Sequence, residues 1–292
     1  MGDVSGAREL LPELAVLPGH LFWRAHARVA NALGEVLPPG VDIHAYATLL
    51  ALSGGATRSQ QALAETISVS RTTMARVAAD LSGEGLVERV RNHADRRSYA
   101  LTRTPEGAAA ARRWRWHAED LEDAITAGFT TAERDELCAL LLQVAQVDLA
   151  PDVPEALRES IGFLVTRVHS RMHREFAVAL EPLGIEPRDF GTLVALDATG
   201  PISQAELARH MGVSGASMVQ IVDDLEHRGL LERRRLATDR RTQVLHPLPE
   251  VPAVLAEAAR LAHGTTESLL EPLSTTRATR LVELMQRLVT AP

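Results

Sequence analysis

Apolar positions fall at helical spacing along most of the chain, and the segment 158–180 shows the pattern most clearly. Ile161, Leu164, Val165, Val168, Met172, Phe176 and Leu180 recur every three or four residues, as on one face of a helix. Pro182 and Gly184 end that run, and a second helix is expected over 188–198. Pro201 and Ile202 read as a short extended piece. Ser203 with Glu206 has the reciprocal pattern of a capped start, which predicts a short helix over 203–211. Gly212 and Val213 form a turn, and Ser214 caps a helix reaching about residue 228. Gly229 stands where a left-handed residue commonly closes a helix. Residues 230–234 and 242–245 then read as the strands of a hairpin with its tip at 236–241. Two more helices are expected over 251–270 and 275–289.

The same pattern has already occurred once. Ser59, Gln60, Leu63 and Ala64 match Ser203, Gln204, Leu207 and Ala208, and Val69 and Ser70 match Val213 and Ser214. The series continues through Met74/Met218, Asp80/Asp224, Gly85/Gly229 and Arg89/Arg233 at one constant offset of 144 (203 − 59). About 20 of the 48 aligned positions from Ser59 to Glu106 are identical, where chance would give a few. The chain is therefore two copies of one unit, 1–150 and 151–292, joined near Pro151 and Pro154. First-copy helices are expected at 105–127 and 131–147. In each copy, helix, short helix, turn, capped helix and hairpin make a winged helix-turn-helix, with cores at about 41–104 and 185–248. The fold class is mainly α with small β wings. One helix before each core and two after it have apolar faces that need a partner, which the other copy can supply.

Composition changes this picture little. Apolar residues at 46% and charged residues at 24% suit a folded globular chain, and aromatics at 3% favour packed helices. Residues 1–21 lack the basic stretch and apolar run of an export signal, and no segment approaches the roughly 18 apolar residues of a membrane span. With a single cysteine, Cys138, the expectation is a cytoplasmic protein without disulfides. A net charge of −7 argues against nucleic acid only as a sum. What DNA needs is a local basic surface, and arginines cluster at 89–115 and 228–241. The chain has no lysine, so the choice of arginine at any one position carries no weight.

Base edges in the major groove are read from the first turns of a recognition helix. In the first copy those positions are Ser70, Arg71, Thr72, Thr73 and Arg76; in the second, Ser214, Gly215, Ala216, Ser217 and Gln220. Ser70 and Ser214 also read as plain helix caps, the larger part of their role. Arg71 and Arg76 suit a bidentate guanine contact or a phosphate contact about equally.

The chain resembles the MarR family of bacterial regulators. The resemblance rests on Gln204-Ala205-Glu206-Leu207-Ala208, Val213-Ser214, the run 225–233 and Asp239-Arg240-Arg241, with first-copy counterparts at 60–64, Val69-Ser70, 81–89 and Asp95-Arg96-Arg97. It implies that Arg97 and Arg241 enter the minor groove at the wing tips, with Asp95 and Asp239 orienting them. Such i, i+2 pairs in a hairpin share a face. Arg96 and Arg240 face the other way, towards phosphate or solvent, and Arg91 and Arg235 stand beside the tips. Family members are homodimers with intertwined outer helices, so the resemblance implies an internal pseudo-dimer, monomeric as a chain. It also implies a small aromatic effector, for which His20, Trp23, His26 and Trp114 are candidates; packing between the copies explains those residues equally well.

His169 and His173 stand four apart on a helix, but no third metal ligand is evident. Cys138 lies in an apolar helical run as a small core residue. No nucleophile elbow, phosphate loop or dinucleotide fingerprint occurs, so neither a cofactor nor an enzyme is expected. The expected function is a sequence-specific regulator of double-stranded DNA. It would be a ligand-responsive repressor, one chain per imperfect palindrome. The alternative is a ligand-binding or protein-interaction module that has lost DNA binding, against which the repeated Asp-Arg-Arg stands.

Overall fold

The computed structural model describes residues 10–37, 42–91, 99–235 and 243–291. The first copy runs α1 (Pro12–Ala15), α2 (Pro18–Val36), α3 (Ile43–Ala51), β1 (Thr57–Arg58), α4 (Gln60–Ile67), α5 (Arg71–Gly83), β2 (Val87–Arg91), β3 (Tyr99–Arg103), α6 (Pro105–Ile125) and α7 (Thr131–Ala145). The second runs α8 (Glu155–Arg158), α9 (Ile161–Leu180), α10 (Pro187–Thr199), α11 (Gln204–Met211), α12 (Gly215–His227), β4 (Leu231–Arg235), β5 (Gln243–Pro247), α13 (Val251–Leu270) and α14 (Thr275–Thr290). The helices, the hairpins and their order match the sequence pattern, within a few residues at each end. No described helix is long and apolar enough to cross a membrane.

The compact units in space are not the repeats in sequence. Residues 26–168 form one unit, and residues 1–25 with 169–292 form the other, so the division falls inside α2 and inside α9.

In the 26–168 unit, α3, α4 and α5 enclose a core of Leu49, Leu63, Met74, Val77 and Leu81, all at most 1% exposed. Burying each such side chain is worth about 1.5–3 kcal/mol. β2 and β3 pair antiparallel from Val87↔Arg103 to Arg91↔Tyr99, and β1 adds a short third strand beside β3. Thr104 caps α6, accepting from the Gly107 amide at 3.0 Å and donating to the Gly85 carbonyl at 2.8 Å. Gly107 is needed there, because a Cβ would collide with the Leu86 carbonyl.

The same unit explains one difference from the pattern. Helix 158–180 was expected unbroken, but the chain breaks at Glu159 and Ser160 before α9. Ser160 Oγ accepts from the Phe163 amide at 3.0 Å as a local cap, and it is joined there by the Glu122 carboxylate on α6. The carboxylate accepts from the Ser160 hydroxyl at 2.6 Å and from the amides of Ile161 and Gly162 at 3.0 and 3.1 Å, so a remote acid also caps the start of α9. Burial nevertheless pushes its carboxyl above the usual range.

In the other unit, Phe190, Leu193 and Leu196 of α10 are buried, as are Leu207 of α11 and Met218, Ile221, Val222 and Leu225 of α12. β4 and β5 pair antiparallel from Leu231↔Pro247 to Arg235↔Gln243, and Ile202 bridges to Leu245 where β1 lies in the first copy. From α1 and α2, Leu14, Leu21 and Phe22 are buried.

Candidate nucleic-acid interface

Each reading helix is fixed at its start by one hydroxyl. Ser70 Oγ accepts from the Thr73 amide at 3.0 Å, and Ser214 Oγ accepts from the Ser217 amide at 3.1 Å. Both serines are extended in backbone, as caps require. The turn before them needs a left-handed residue, Gly212 in the second copy at φ 70°. In the first copy Ser68 occupies that register at φ 59° and is the one non-glycine with positive φ among the described residues.

Helical periodicity then separates the faces. On α5, Met74, Val77, Ala78 and Leu81 point inward, while Arg71, Thr72 and Arg76 are exposed and Thr73 is half-buried. On α12, Met218, Ile221, Val222 and Leu225 point inward, leaving Ser214, Ser217 and Gln220 exposed with Gly215 and Ala216. The structure thus brings the expected reading positions together in each copy. Arg91 and Arg235 are exposed at the ends of β2 and β4. The wing-tip residues Asp95, Arg96, Arg97, Asp239, Arg240 and Arg241 lie outside the described residues.

The two readers differ in how their arginines are held. Arg76 is bonded to Asp42 at 2.8 Å and to Asp80 at 3.0 Å. The hydrogen bond that Arg76 donates to Asp42 raises its guanidinium further above its ordinary value. Burial opposes ionisation of Asp42, yet bonds from Arg76 and the His44 amide hold its carboxyl below the usual range. Arg71 forms no ion pair among the described residues.

In the second copy, Arg233 at the wing base bonds Asp223 and Glu226. The same register in the first copy has Arg89, exposed, with Ala79 and Ser82 where those acids would stand. Arg228, at the end of α12, bonds the fully buried Asp189 at 2.8 Å and the Gly184 carbonyl at 2.7 Å. Burial raises the Asp189 carboxyl despite that partner. Sequence reasoning missed these tethers because each joins residues from different elements.

Each unit also carries a cavity. In the unit containing α12, about 430 Å³ is walled by Trp23, Met172, Phe176, Phe190 and Met211, with His20, His169, His173, His263 and Arg188 as its more polar members. The rings of His20 and Trp23 are tilted to one another with centroids 5.6 Å apart, and His169 and His173 stack at 5.8 Å. Burial, aided by the charge of Arg24, pushes the His20 imidazole down to about 3, so it is neutral.

Of the four expected pocket residues, His20 and Trp23 line this cavity and His26 and Trp114 do not. Trp114 lines a separate recess with Asp42 and Arg76, and His26 belongs to the other unit. The expectation gathered aromatic and imidazole groups by type, whereas the cavity is set by which helices face each other. Cys138 is half-buried with its thiol pushed up to about 11 by burial, which keeps it protonated near neutral pH.

The family model of the MarR family matches this chain twice, over residues 40–98 and 183–242. A regulatory protein assigned to the hcr operon of Thauera aromatica is 30% identical over 145 residues, covering 49% of this chain and 87% of that protein. An HTH-type transcriptional repressor of Mycobacterium tuberculosis is 29% identical over 139 residues, covering 48% of this chain and 90% of the repressor. A transcriptional regulator from Pseudomonas aeruginosa, solved as a crystal structure, is 30% identical and covers 45% of this chain and 98% of its own at a TM-score of 0.43. The hcr-operon regulator and the mycobacterial repressor are thus each matched nearly whole by about half of this chain, as two successive copies of one unit require, and the chain belongs to the MarR family of transcriptional regulators, whose winged helix-turn-helix it carries twice.

Proposed function

We propose that this chain is a repressor that binds double-stranded DNA by sequence, one chain per operator, and lets go when a small molecule enters it. The observation that carries the reading is the paired geometry of α5 and α12. Both are capped by serine at the same register, buried on one face and open at the first turns on the other. A helix so presented fits the major groove, with its N-terminal side chains toward base edges. Arg97 and Arg241 would add minor-groove contacts from the wings, with Asp95 and Asp239 orienting them and Arg96 and Arg240 on phosphate. One chain then supplies both readers of an operator whose half-sites lie about one helical turn apart. The effector would occupy the cavity beside Trp23 and His20.

Gel shifts on DNA upstream of the chain's own gene test this. One chain should occupy each site, and affinity should fall steeply with salt as phosphate counterions are released. Arg71→Ala should weaken specific binding by about 5- to 100-fold, the worth of a lost bidentate base contact. Arg97→Ala and Arg241→Ala should each weaken it as well. Binding unaffected by all three would sink the interface and favour a ligand-binding module that no longer reads DNA. The internal ties of Arg76 and Arg233 are the observation on that side.

A further inference from the structure

Helices α2 and α9 carry basic residues at one spacing: Arg24, His26 and Arg28 in the first, Arg167, His169 and Arg171 in the second, each pair 143 residues apart (167 − 24). That is one residue short of the offset that holds in the cores. Burial agrees with the register. Leu21, Phe22, Ala25 and Val29 are buried, and so are Leu164, Val165, Val168 and Met172. Arg24 and Arg167 are therefore counterparts within the repeat, one in each copy. Each of them meets the other copy's helix-turn-helix.

Arg167 lies in the unit that contains α4 and α5. Its Nη1 donates to the Glu65 carbonyl in the last turn of α4 and to the Ser68 hydroxyl, and its Nη2 donates to the Asp148 carbonyl. Arg24 lies in the unit that contains α11 and α12. It is 6% exposed, and its Nη1 donates to the His210 carbonyl in the last turn of α11 at 3.4 Å. Its Nε would stand 3.3 Å from a Cβ placed on Gly212. Ser68 and Gly212 share a register, 144 residues apart. Each ends the first helix of its pair in left-handed geometry, two residues before the serine that caps the reading helix.

The last carbonyls of a helix have no donors within it and carry partial negative charge, so a guanidinium is held there by charge and hydrogen bonds together. The two copies make this contact differently. At Gly212 the absence of a side chain lets Arg24 lie against the backbone. At Ser68 a residue disfavoured in left-handed backbone supplies a hydroxyl to Arg167, which accounts for the one non-glycine with positive φ among the described residues. Within each turn, the Val69 amide donates to the Ala64 carbonyl at 3.0 Å and the Val213 amide to the Ala208 carbonyl at 3.1 Å. The arginines brace the same corners from outside.

We infer that Arg24 and Arg167 are positioning residues for DNA reading, exchanged between the copies: each fixes the turn that aims the other copy's reading helix. Arg167, from the second copy, sets α5, and Arg24, from the first, sets α12. The DNA part of this rests on the function proposed above; the turn part does not.

Amide hydrogen exchange on the full chain tests the turn part without DNA. Arg167→Met should speed exchange at the Val69 amide about 10-fold or more, as the loss of charge-assisted bonds dictates, and leave Val213 unchanged. Arg24→Met should do the reverse. Arg167→Lys and Arg24→Lys keep the charge without the planar set of donors, so each should change the same turn by less. These variants carry both experiments if a methionine variant fails to fold. No change at either turn, equal change at both, or change at the turn of the arginine's own copy would each overturn the assignment. Operator selection from random DNA then tests the aim. Arg167→Met should lose base preference over the α5 half-site and keep it over the α12 half-site, and Arg24→Met the opposite. Weaker binding with both preferences intact would make the arginines mere supports and overturn the positioning role. A chain that shows the crossed exchange yet binds no DNA overturns the regulator reading and with it that role, and leaves the turn assignment standing.

Discussion

At the scale of residues, similar arginines have been given different partners. Arg76 projects from the exposed face of α5 but is neutralised by Asp42 and Asp80. Asp42→Asn removes one of those charges while keeping an oxygen to accept from the His44 amide at the start of α3. We expect this variant to bind DNA several-fold more tightly, with a salt slope steeper by about 1, as gel shifts across a salt series would show. An unchanged slope would mean that Arg76 stays with Asp80 on the complex.

His20 gives a prediction in stability. Its imidazole takes a proton near the ordinary 6.5 when unfolded, but only near about 3 in the fold. The unfolded chain binds more protons between those values, so this contribution is whole above pH 6.5 and declines as pH falls towards 3, by at most about 1.4 kcal/mol per pH unit. His20→Phe should therefore flatten the acid limb of a Tm–pH curve between 6.5 and 4 relative to wild type. Parallel curves would place the titration elsewhere.

At the scale of elements, the helix ends decide how the reading unit is assembled. The close approach of α6 to the strand after α5 depends on Gly107 facing the Leu86 carbonyl, and α6 packs Ala110 and Ala111 into the core behind it. Gly107→Ala gains helix propensity but forces that backbone apart. The net expectation is a loss of about 1–3 kcal/mol, read from denaturant unfolding. A stabilised variant would show that the contact yields. The start of α9 makes a related point. Periodicity alone carries the helix back to residue 158, whereas Ser160 caps α9 locally and the Glu122 carboxylate, 38 residues away, holds that start from α6.

At the scale of the whole molecule, the two copies present unlike first turns on their capped helices, α5 and α12, and the proposed DNA reading would be unequal. Selection of operators from random DNA should return an imperfect palindrome, with the α5 half-site richer in G·C and more strictly defined, because Arg71 can address guanine bidentately while Gly215 at the same register cannot. A perfect palindrome would refute the inequality. The spatial division of the chain adds to this picture. Residues 1–25 group with the second copy's reader, and residues 151–168 with the first copy's.

Local pattern settled the secondary structure, because helix caps, turns and apolar periodicity act within a few residues. Ser70, Ser214 and Gly229 do at their positions what short-range sterics and hydrogen bonding require. The doubling of the unit was equally plain, since a constant offset needs no coordinates. Only tertiary structure decided which segments group into which unit, that Arg76 and Arg233 are spoken for, that Glu122 caps α9, and that His20 and Trp23 share a cavity from which Trp114 is absent. Those outcomes depend on contacts between residues far apart in sequence, where a charged or aromatic side chain finds its partner through the packing of helices and not through its neighbours in the chain.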